Sequence, residues 1–442
     1  MEVRARSAEP VVRGQVNIRS RRRPQFFTGR QEVKSEGYLR RHKPDHGILI
    51  LTALLIVIGL IVVYSISPGL AASQGISQSH FVIKQMIDVG LGIIAFIAAS
   101  RLPIEKILKL AKPLLIVAIV GSILVMFTPL NETYPAHRWI RFGNFSFQVV
   151  ELIKLALLIW LATFLAARYR AGKIHDFKAT LRPLLAVLLI AGFTVAKLQS
   201  DLGSAMVIVA MMALMAYAIG VSLKKIVIIG LIIIALTGLA ISTSPYRRER
   251  LATFFRPDAA CQTSSYHACQ ALIAVGSGGV FGLGLGNSVQ AYGYLPEASN
   301  DSIFAIMAEK FGFVGISAVM VIYGLYIARL RSIITRSVNF TYRLLVVGVL
   351  AWFSTQMIIN VGAMVGLLPL KGITLPLISQ GGTSLVFLTA ALGLVFQISR
   401  YTSYHAKEPE PAGDSSQSQN HNLGGRRLGR AYYTTIAARP RS

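Results

Sequence analysis

The sequence predicts an all-α polytopic membrane protein with about ten transmembrane helices. Hydrophobic residues make up 53% of the 442-residue chain and charged residues only 14%, a balance that one soluble core cannot accommodate. The apolar residues also form runs of roughly 20, the length needed to cross a hydrocarbon core about 30 Å thick. Because such continuous runs satisfy their backbone polar groups internally only as helices, membrane-spanning strands are excluded.

The predicted spans follow one another from residue 46 to residue 399. Their boundaries are 46–67, 81–100, 107–127, 147–167, 183–200, 202–220, 224–243, 311–329, 343–366 and 383–399. The largest extracytoplasmic loop, residues 244–301, is predicted between spans seven and eight.

Lys and Arg residues set the predicted orientation, because short basic connections are retained on the cytoplasmic side. The arm 1–45 is rich in both, and every second connection is basic again. Both termini are therefore predicted to be cytoplasmic, with residues 46–402 as the transmembrane domain. The arm and the tail 403–442 have the composition of disordered segments. The polar arm and the full-length first span do not resemble a cleavable signal peptide.

The net charge of +26 has a simple explanation in this topology. Most of the basic residues lie on inner loops and tails, where they face anionic lipid headgroups. Membrane lipids are therefore the expected partners of this charge, and nucleic-acid binding is not expected. Since the sequence shows no soluble catalytic domain, any active site must lie between spans and loops.

Charged residues on the predicted outer side have no topological reason to be there, so they mark candidate functional positions. Arg138 precedes span four, and Glu151 and Lys154 lie three residues apart near its start, on one helix face where they can pair. The alternative is that Lys154 reaches the outer headgroups, with Glu151 as its counter-ion.

Two further outer turns carry charges. Asp201 follows Gln199 in the tight turn between spans five and six, where Asp201 is well placed to cap the N-terminus of span six. Lys371 is the only cation of the connection 366–384, which prolines and glycines interrupt. At membrane depth, irregular backbone of this kind is tolerated where it is buried in protein or lines a cavity. Contact with headgroups is the alternative for Lys371.

The large outer loop carries two cysteines and many glycines. Cys261 and Cys269 are eight residues apart, which on an oxidising face suggests a local disulfide. The glycine-rich stretch 276–286 is able to expose backbone N–H groups to a phosphate. It matches no P-loop pattern, so it is weak evidence for phosphate chemistry.

Asp301 lies where this loop meets span eight. Residues 302–310 include Glu309 and Lys310, which predicts a short interfacial helix before the full span begins. Asp301 is then either a simple cap of that helix or a site residue facing the loop space. On a water-accessible outer loop, we expect its carboxyl pKa to be ordinary.

Four motifs together resemble the SEDS family (shape, elongation, division and sporulation). Leu295-Pro-Glu-Ala-Ser-Asn-Asp301 resembles the family's Leu-Pro-Glu-Ala-His-(Thr/Asn)-Asp, and Lys371-Gly-Ile-Thr-Leu-Pro376 resembles its Lys-Gly-(Leu/Ile)-Thr-Leu-Pro. Phe147-Gln-Val-Val-Glu-Leu-Ile-Lys154 and Gln199-Ser-Asp-Leu-Gly203 are similar to two others, Phe-Gln-Pro-Ser-Glu-Phe-Ala-Lys and Gln-Pro-Asp-Leu-Gly. The likeness runs from about residue 46 to residue 402, in order, and is closer to the division branch than to the elongation branch.

The resemblance implies a peptidoglycan glycosyltransferase that polymerises lipid II at the outer face of the bacterial cytoplasmic membrane, at the division septum. Asp301 aligns with the family's essential aspartate and is expected to act as general base, with inversion at the donor sugar and loss of undecaprenyl pyrophosphate. The expected substrate-binding residues are Arg138, Lys154, Lys371, Glu297, Gln199, Asp201 and Ser379.

A leaving pyrophosphate needs cations, and the resemblance implies protein partners. Arg138, Lys154 and Lys371 are expected to clamp the leaving pyrophosphate, helped by a divalent cation, Mg²⁺ or Mn²⁺, that bridges phosphate oxygens. Glu297 and Asp201 are expected to hold that cation or to orient neighbouring groups. The expected protein partners are a class B penicillin-binding protein, which is a transpeptidase, and other divisome proteins.

The sequence departs from the family pattern close to these motifs. The replacements are Gln380 for a Tyr, Thr383 for a Ser, Ser200 for a Pro, Ser302 for a Phe, and Val149 and Val150 for a Pro-Ser pair. None of them removes a proposed charge, but they put the local backbone around spans four and five in question.

Two other functions are compatible with ten spans, broken helices and charges at membrane level. One is a translocator of lipid II or of a solute. The other is a non-catalytic scaffold that recruits a septal transpeptidase.

Overall fold

The structure is a computed structural model that describes residues 43–127, 138–142, 145–242, 254–255, 261–263 and 265–402. The predictions for the basic arm up to residue 42, for the tail 403–442 and for parts of the loop 244–301 fall outside the described residues.

A helix forms at every position where the sequence predicts a span. The helices are α1 His46–Gln74, α2 His80–Arg101, α3 Ile104–Lys109, α4 Ala111–Leu124, α5 Val149–Arg170, α6 Arg182–Phe193, α7 Leu202–Ala218, α8 Leu223–Ser242, α9 Tyr266–Ser277, α10 Ile303–Arg336, α11 Phe340–Met364 and α12 Thr383–Ile398. The third predicted span corresponds to α3 and α4 together. The π-helical turns Phe177–Leu181 and Thr194–Leu198 extend α6 at both ends.

The connections predicted to be outer contain two elements that the sequence analysis did not predict. One is the helix α9, and the other is an antiparallel hairpin of β1 (Trp139–Phe142) and β2 (Phe145–Gln148). Its register pairs Trp139 with Gln148, so the hairpin leads directly into α5.

Within the described residues, seven helices are long and apolar enough to cross a membrane. They are His46–Gln74, His80–Arg101, Val149–Arg170, Phe177–Lys197, Ile303–Arg336, Phe340–Met364 and Thr383–Tyr401. The apolar helices Ala111–Phe127 and Leu202–Ala218 are shorter. The all-α polytopic fold class is therefore confirmed, whereas the number of about ten spans stays a prediction.

The bundle has a buried centre and an apolar exterior. The helix α11 packs against α5, α7 and α10, and α12 packs along α2. Leu158 of α5 and Trp352 of α11 are fully buried. The outer helices instead expose large apolar side chains, such as Ile94 of α2 and Ile116 of α4, as a surface facing lipid requires.

A kink in α10 divides it into a short first segment and a long span. At Gly312 the backbone leaves the helix, with φ 65° and ψ −169°. The prediction of a separate short helix before span eight is therefore confirmed. The glycine-rich stretch packs against this kink, where the backbone N–H of Leu283 donates to the carbonyl of Glu309.

This contact gives the glycines of the stretch 276–286 a structural role. Gly282 has a positive φ, and a Cβ there would lie 2.2 Å from the carbonyl oxygen of Lys310. None of the residues 276–286 lines the cavity described below. This stretch is therefore not placed to bind a phosphate in that cavity.

We expect Gly312→Ala to destabilise the fold. An added Cβ would lie 2.3 Å from the backbone nitrogen of Gly282 and 2.5 Å from the carbonyl oxygen of Val280, in a backbone region that only glycine adopts readily. The expected loss is about 1–3 kcal/mol or more, because both clashes are with backbone. Thermal unfolding of the protein in detergent measures this loss.

The matched control for this prediction is Gly324→Ala in the same helix. Nothing lies within 4 Å of a Cβ built at Gly324. That variant should be neutral or slightly stabilising, since alanine is the better helix former. Equal unfolding temperatures for the two variants would contradict the structural role of Gly312.

Candidate functional site

A cavity of about 730 Å³ lies beneath the predicted outer connections, at one end of the bundle. Its wall comes from the hairpin, the turn before α7, the helix α9, the loop before α10 and the irregular segment between α11 and α12. Six predicted site residues line it together: Arg138, Lys154, Asp201, Glu297, Asp301 and Lys371.

Asp301 is held through its backbone and not as a helix cap. The N-cap of α10 is Ser302. The carbonyl oxygen of Asp301 accepts a hydrogen bond of 2.7 Å from the side-chain nitrogen of Asn360 in α11. Its carboxylate lies beside Gly372, where an added Cβ would be 3.1 Å from Oδ2. The carboxylate therefore faces the loop that carries Lys371.

The pKa of Asp301 differs from the expectation. Burial raises it, the negative charges of Glu297 and Asp201 raise it further, and the positive charge of Arg138 lowers it, which leaves the pKa at about 8. The prediction of an ordinary pKa was wrong because the loop folds over the cavity and does not stand free in water. A carboxyl with a pKa near neutral is suited to exchange protons with a ligand.

Arg138 is fixed by two backbone carbonyls. Its Nε donates to the oxygen of Gln199 at 2.9 Å, and its Nη2 donates to the oxygen of Ser200. Its Nη1 lies 3.6 Å from the position that a Cβ of Gly372 would take, next to Asp301. The guanidinium therefore joins the turn before α7 to the neighbourhood of Asp301.

The replacement of Pro by Ser at position 200 has a structural reason. Ser200 has a φ of 52°. Proline is restricted to a φ near −65° and cannot take this conformation. The turn that presents its carbonyl to Arg138 therefore has a shape that a proline-containing turn cannot copy.

Glu151 and Lys154 form a buried ion pair. The distance from Lys154 Nζ to Glu151 Oε1 is 2.6 Å, and both side chains are almost fully buried. The ammonium also lies 5.2 Å from the centre of the Trp352 ring. The pair points into the bundle and lines the cavity, so the alternative in which Lys154 reaches the headgroups is wrong.

The segment that carries Lys371 is tied to the bundle by buried amides of α11. Asn360 donates a second hydrogen bond of 2.7 Å to the carbonyl oxygen of Ile373. Gln356 donates to the carbonyl oxygen of Thr374 at 3.0 Å. Lys371 lines the cavity within this segment, as the prediction of a cavity-lining loop requires.

Two predicted substrate-binding residues do not line the cavity. Ser379 is buried, and its hydroxyl donates to the carbonyl oxygen of Asn300 and accepts from the backbone N–H of Leu375. Gln199 is buried and meets Arg138 only through its carbonyl oxygen. Ser379 thus links two loops and Gln199 helps to fix Arg138, and their assignment to substrate binding stays a prediction.

Asp201 has the capping role that the sequence predicted. Its carboxylate accepts from the backbone N–H of Ser204 at 3.0 Å, at the first turn of α7. It nevertheless lines the cavity and contributes to the raised pKa of Asp301. One carboxylate thus serves both the helix end and the electrostatics of the site.

The other departures from the family pattern are accommodated. The Thr383 hydroxyl accepts from the backbone N–H of Gln148 at 3.3 Å, and the Gln380 side chain donates to the carbonyl oxygen of Phe81 at 2.8 Å. Val149 is the first residue of α5. Position N1 suits proline but does not need it, because its N–H has no partner within the helix.

Four cavity or support residues were missed by the sequence analysis: Lys84, His267, Gln356 and Asn360. A signal for two of them was present. Gln356 and Asn360 are polar, lie four residues apart inside an apolar span, and so share one helix face. Polar side chains inside a span mark functional positions by default.

The two cysteines of the outer loop are bonded. Cys261 and Cys269 form a disulfide with Cα atoms 5.5 Å apart. The bond ties the start of α9 to the chain that precedes it, close to the cavity wall formed by Ser265 and His267.

The acidic residues of the cavity are the candidate metal ligands within the described part of the chain. Among the residues that the structure describes, no group of three or more His, Cys, Asp or Glu side chains is placed to hold a metal ion. Asp201, Glu297 and Asp301 line the cavity but do not form such a group. A divalent cation would therefore need ligands from water and from substrate phosphates, as Mg²⁺ commonly does.

These observations define a polytopic helical membrane protein with a charged cavity lined by the loops at one end of its bundle. The chain belongs to the FtsW/RodA/SpoVE family: the family profile, described as "Cell cycle protein", matches residues 45–404.

Individual relatives agree with this assignment. The "Probable peptidoglycan glycosyltransferase FtsW" of Coxiella burnetii is 36% identical over 362 residues, which cover 81% of this chain and 96% of that protein. The "Stage V sporulation protein E" of Bacillus subtilis is 33% identical over 367 residues, which cover 83% of this chain and 99% of that protein.

Solved structures share the fold. A chain from "Structural coordination of polymerization and crosslinking by a peptidoglycan synthase complex" superposes with a TM-score of 0.64 at 26% identity, covering 81% of this chain and 98% of that one. The rod shape determining protein RodA of Thermus thermophilus superposes with a TM-score of 0.56 at 26% identity, covering 81% of this chain and 97% of that one.

Proposed function

We propose that the protein is a peptidoglycan glycosyltransferase that polymerises lipid II at the outer face of the cytoplasmic membrane. The observation that carries the proposal is the meeting of Asp301, Arg138, Lys154 and Lys371 in one cavity, although they come from distant parts of the chain. Relatives named as probable peptidoglycan glycosyltransferases support the same activity.

Asp301 acts as the general base in this proposal. Its carboxylate takes the proton from the 4-hydroxyl of the acceptor GlcNAc as that oxygen attacks C1 of the donor MurNAc. A new C1–O4 bond forms, the bond from C1 to the pyrophosphate oxygen breaks, and undecaprenyl pyrophosphate leaves with its electron pair. Attack on the face opposite the leaving group inverts the configuration at C1.

The cations stabilise the leaving group. Arg138 presents Nη1 near Asp301 after its other nitrogens have bound the turn before α7. Lys371 lies in the same wall, and Lys154 contributes from the pair with Glu151. Positive charge held in the wall of the cavity stabilises the negative charge that develops on the pyrophosphate. Mg²⁺ or Mn²⁺ bound by the phosphates would add to this charge.

The wider setting of the proposal follows from topology and family. Basic inner connections support cytoplasmic termini, which put the cavity on the outer face. A class B penicillin-binding protein is the proposed partner, since the related synthase complex couples polymerization to crosslinking. Likeness to FtsW relatives supports work at the division septum with other divisome proteins.

The activity should rise with pH around the pKa of Asp301. The base must be ionised, and a pKa of about 8 leaves it mostly protonated at pH 7. We therefore expect kcat/KM for lipid II to increase with pH, with a slope near one on logarithmic axes below about pH 7, and to level off above about pH 9.

The variant Glu297→Gln tests the electrostatic cause of this pH dependence. Glu297 raises the pKa of Asp301, so its removal should move the rising limb to lower pH. The amide oxygen of Gln can still accept the hydrogen bond from Asn300 that Glu297 now accepts. An unchanged limb in this variant would contradict the contribution of Glu297 to the pKa of Asp301.

The function itself is tested by incubating purified protein in liposomes with lipid II, alone and with its transpeptidase partner. If the protein is a polymerase, glycan strands must form in at least one of these conditions. A translocator would move lipid II between leaflets without making strands. A scaffold would do neither, and Asp301→Asn would then still support division in cells at normal protein levels.

A further inference from the structure

His267 occupies a defined place in the wall of the cavity. It is the second residue of α9, and it lines the cavity together with Glu297, Asn300 and Asp301. Its ring Nε2 lies 2.7 Å from the hydroxyl oxygen of Ser302. Ser302 directly follows Asp301 and stands where the family pattern has Phe, which offers no hydrogen-bond partner to an imidazole.

The hydrogen bonds of Ser302 assign the tautomer of His267. The Ser302 hydroxyl donates its single hydrogen to the carbonyl oxygen of Pro296 at 2.8 Å. It can therefore only accept from His267, so Nε2 carries the hydrogen. In a neutral imidazole the other nitrogen, Nδ1, is then a hydrogen-bond acceptor.

Nδ1 is the ring nitrogen that the bond to Ser302 leaves for a ligand. Among the described residues it has no hydrogen-bond partner. Burial lowers the pKa of His267, which favours the neutral ring and thus the lone pair on Nδ1. The disulfide at Cys269, two residues further along α9, restricts the segment that carries the ring.

Nδ1 of His267 differs in hydrogen-bonding character from the other polar groups of the cavity, and this difference indicates its ligand. Arg138, Lys154 and Lys371 are donors and suit the oxygens of a pyrophosphate. The carboxylate of Asp201 caps α7, and that of Glu297 accepts from Asn300. A neutral nitrogen lone pair repels phosphate oxygens but accepts from a hydroxyl or an amide N–H, the groups that a saccharide carries.

We propose that His267 is a substrate-binding residue that accepts, at Nδ1, a hydrogen bond from a hydroxyl or acetamido N–H of a saccharide in the cavity. Ser302 holds the ring in the orientation that makes this possible. The proposal rests on the proposed function, because it assumes that the cavity receives the sugar part of a lipid-linked saccharide.

The test compares two ligands and two variants by equilibrium binding to purified protein in nanodiscs. Lipid II carries the saccharide, and undecaprenyl pyrophosphate lacks it. His267→Phe removes the acceptor, whereas His267→Gln keeps both a donor and an acceptor. We expect His267→Phe to weaken lipid II binding about tenfold, the worth of one hydrogen bond, and to leave undecaprenyl pyrophosphate binding unchanged. His267→Gln should restore most of the affinity.

Each other outcome has a distinct meaning. Equal weakening for both ligands, or a lowered unfolding temperature that accounts for the loss, assigns His267 a structural role and overturns the proposal. Unchanged lipid II binding in His267→Phe overturns it as well. If His267→Phe does not fold, His267→Leu gives the same ligand comparison. Wild-type protein that binds lipid II but never polymerises it contradicts the proposed function alone, because binding still decides the role of His267.

Discussion

Replacing Asp301 with Asn should abolish glycan polymerisation without weakening the fold. The amide keeps the shape of the side chain and the backbone hydrogen bond to Asn360, but it cannot take a proton from the acceptor hydroxyl. Loss of a general base lowers rates by about 10²–10⁴-fold. The expected result is a loss of that size in kcat, measured as glycan strands formed from lipid II, with lipid II still bound.

Stability supplies the control for this experiment. The folded-state pKa of Asp301 is raised to about 8 from 3.8, so the folded protein holds a proton that the unfolded chain releases between these values. The ionised carboxyl therefore disfavours the fold, and this unfavourable contribution is fully present above pH 8. At pH 9 the Asn variant should unfold at the same or a higher temperature than the wild type. A large fall in unfolding temperature would mean that lost activity reports lost structure.

Breaking the ion pair of Glu151 and Lys154 should give the largest loss of stability. Lys154→Met leaves a carboxylate buried without its partner, which costs about 3–5 kcal/mol. Polymerisation would fall too, both because the fold is less stable and because a cation of the proposed clamp is lost. The unfolding temperature of Lys154→Met in detergent measures the loss of stability.

The double variant Glu151→Leu with Lys154→Met separates the loss of stability from the loss of the cation. Replacing both charges by apolar groups of similar size is often neutral, so stability should return close to that of the wild type. Polymerisation should stay at least about tenfold lower, because one cation near the leaving group is lost. A double variant that is both stable and fully active would remove Lys154 from the proposed clamp.

The sequence predicted the helices well because their signal is local. Each span is a continuous apolar run, and composition alone decides that it lies in lipid. The predicted spans therefore coincide with helices, and the short helix before the kink at Gly312 was recognisable from Glu309 and Lys310. The hairpin before α5 was missed, since its eight strand residues form a weak local pattern.

The site was predictable in its charges but not in their environment. Charged residues on the predicted outer side drew attention to Asp301, Arg138 and Lys371 before their distances were known. Their burial depends on how distant loops fold over one another, so the pKa of Asp301 could not be read from its own segment. The same limit applies to Ser379, which binds the carbonyl of a residue far away in the sequence.

Asn360 couples two loops of the site to one helix. Its amide nitrogen donates to the carbonyl oxygens of Asp301 and Ile373, each at 2.7 Å, so one side chain of α11 binds loops from separate parts of the chain. A tilt or rotation of α11 would shift the carboxylate of Asp301 and the segment around Lys371 as a single unit. The helix α11 therefore couples the position of the proposed general base to that of the proposed cation.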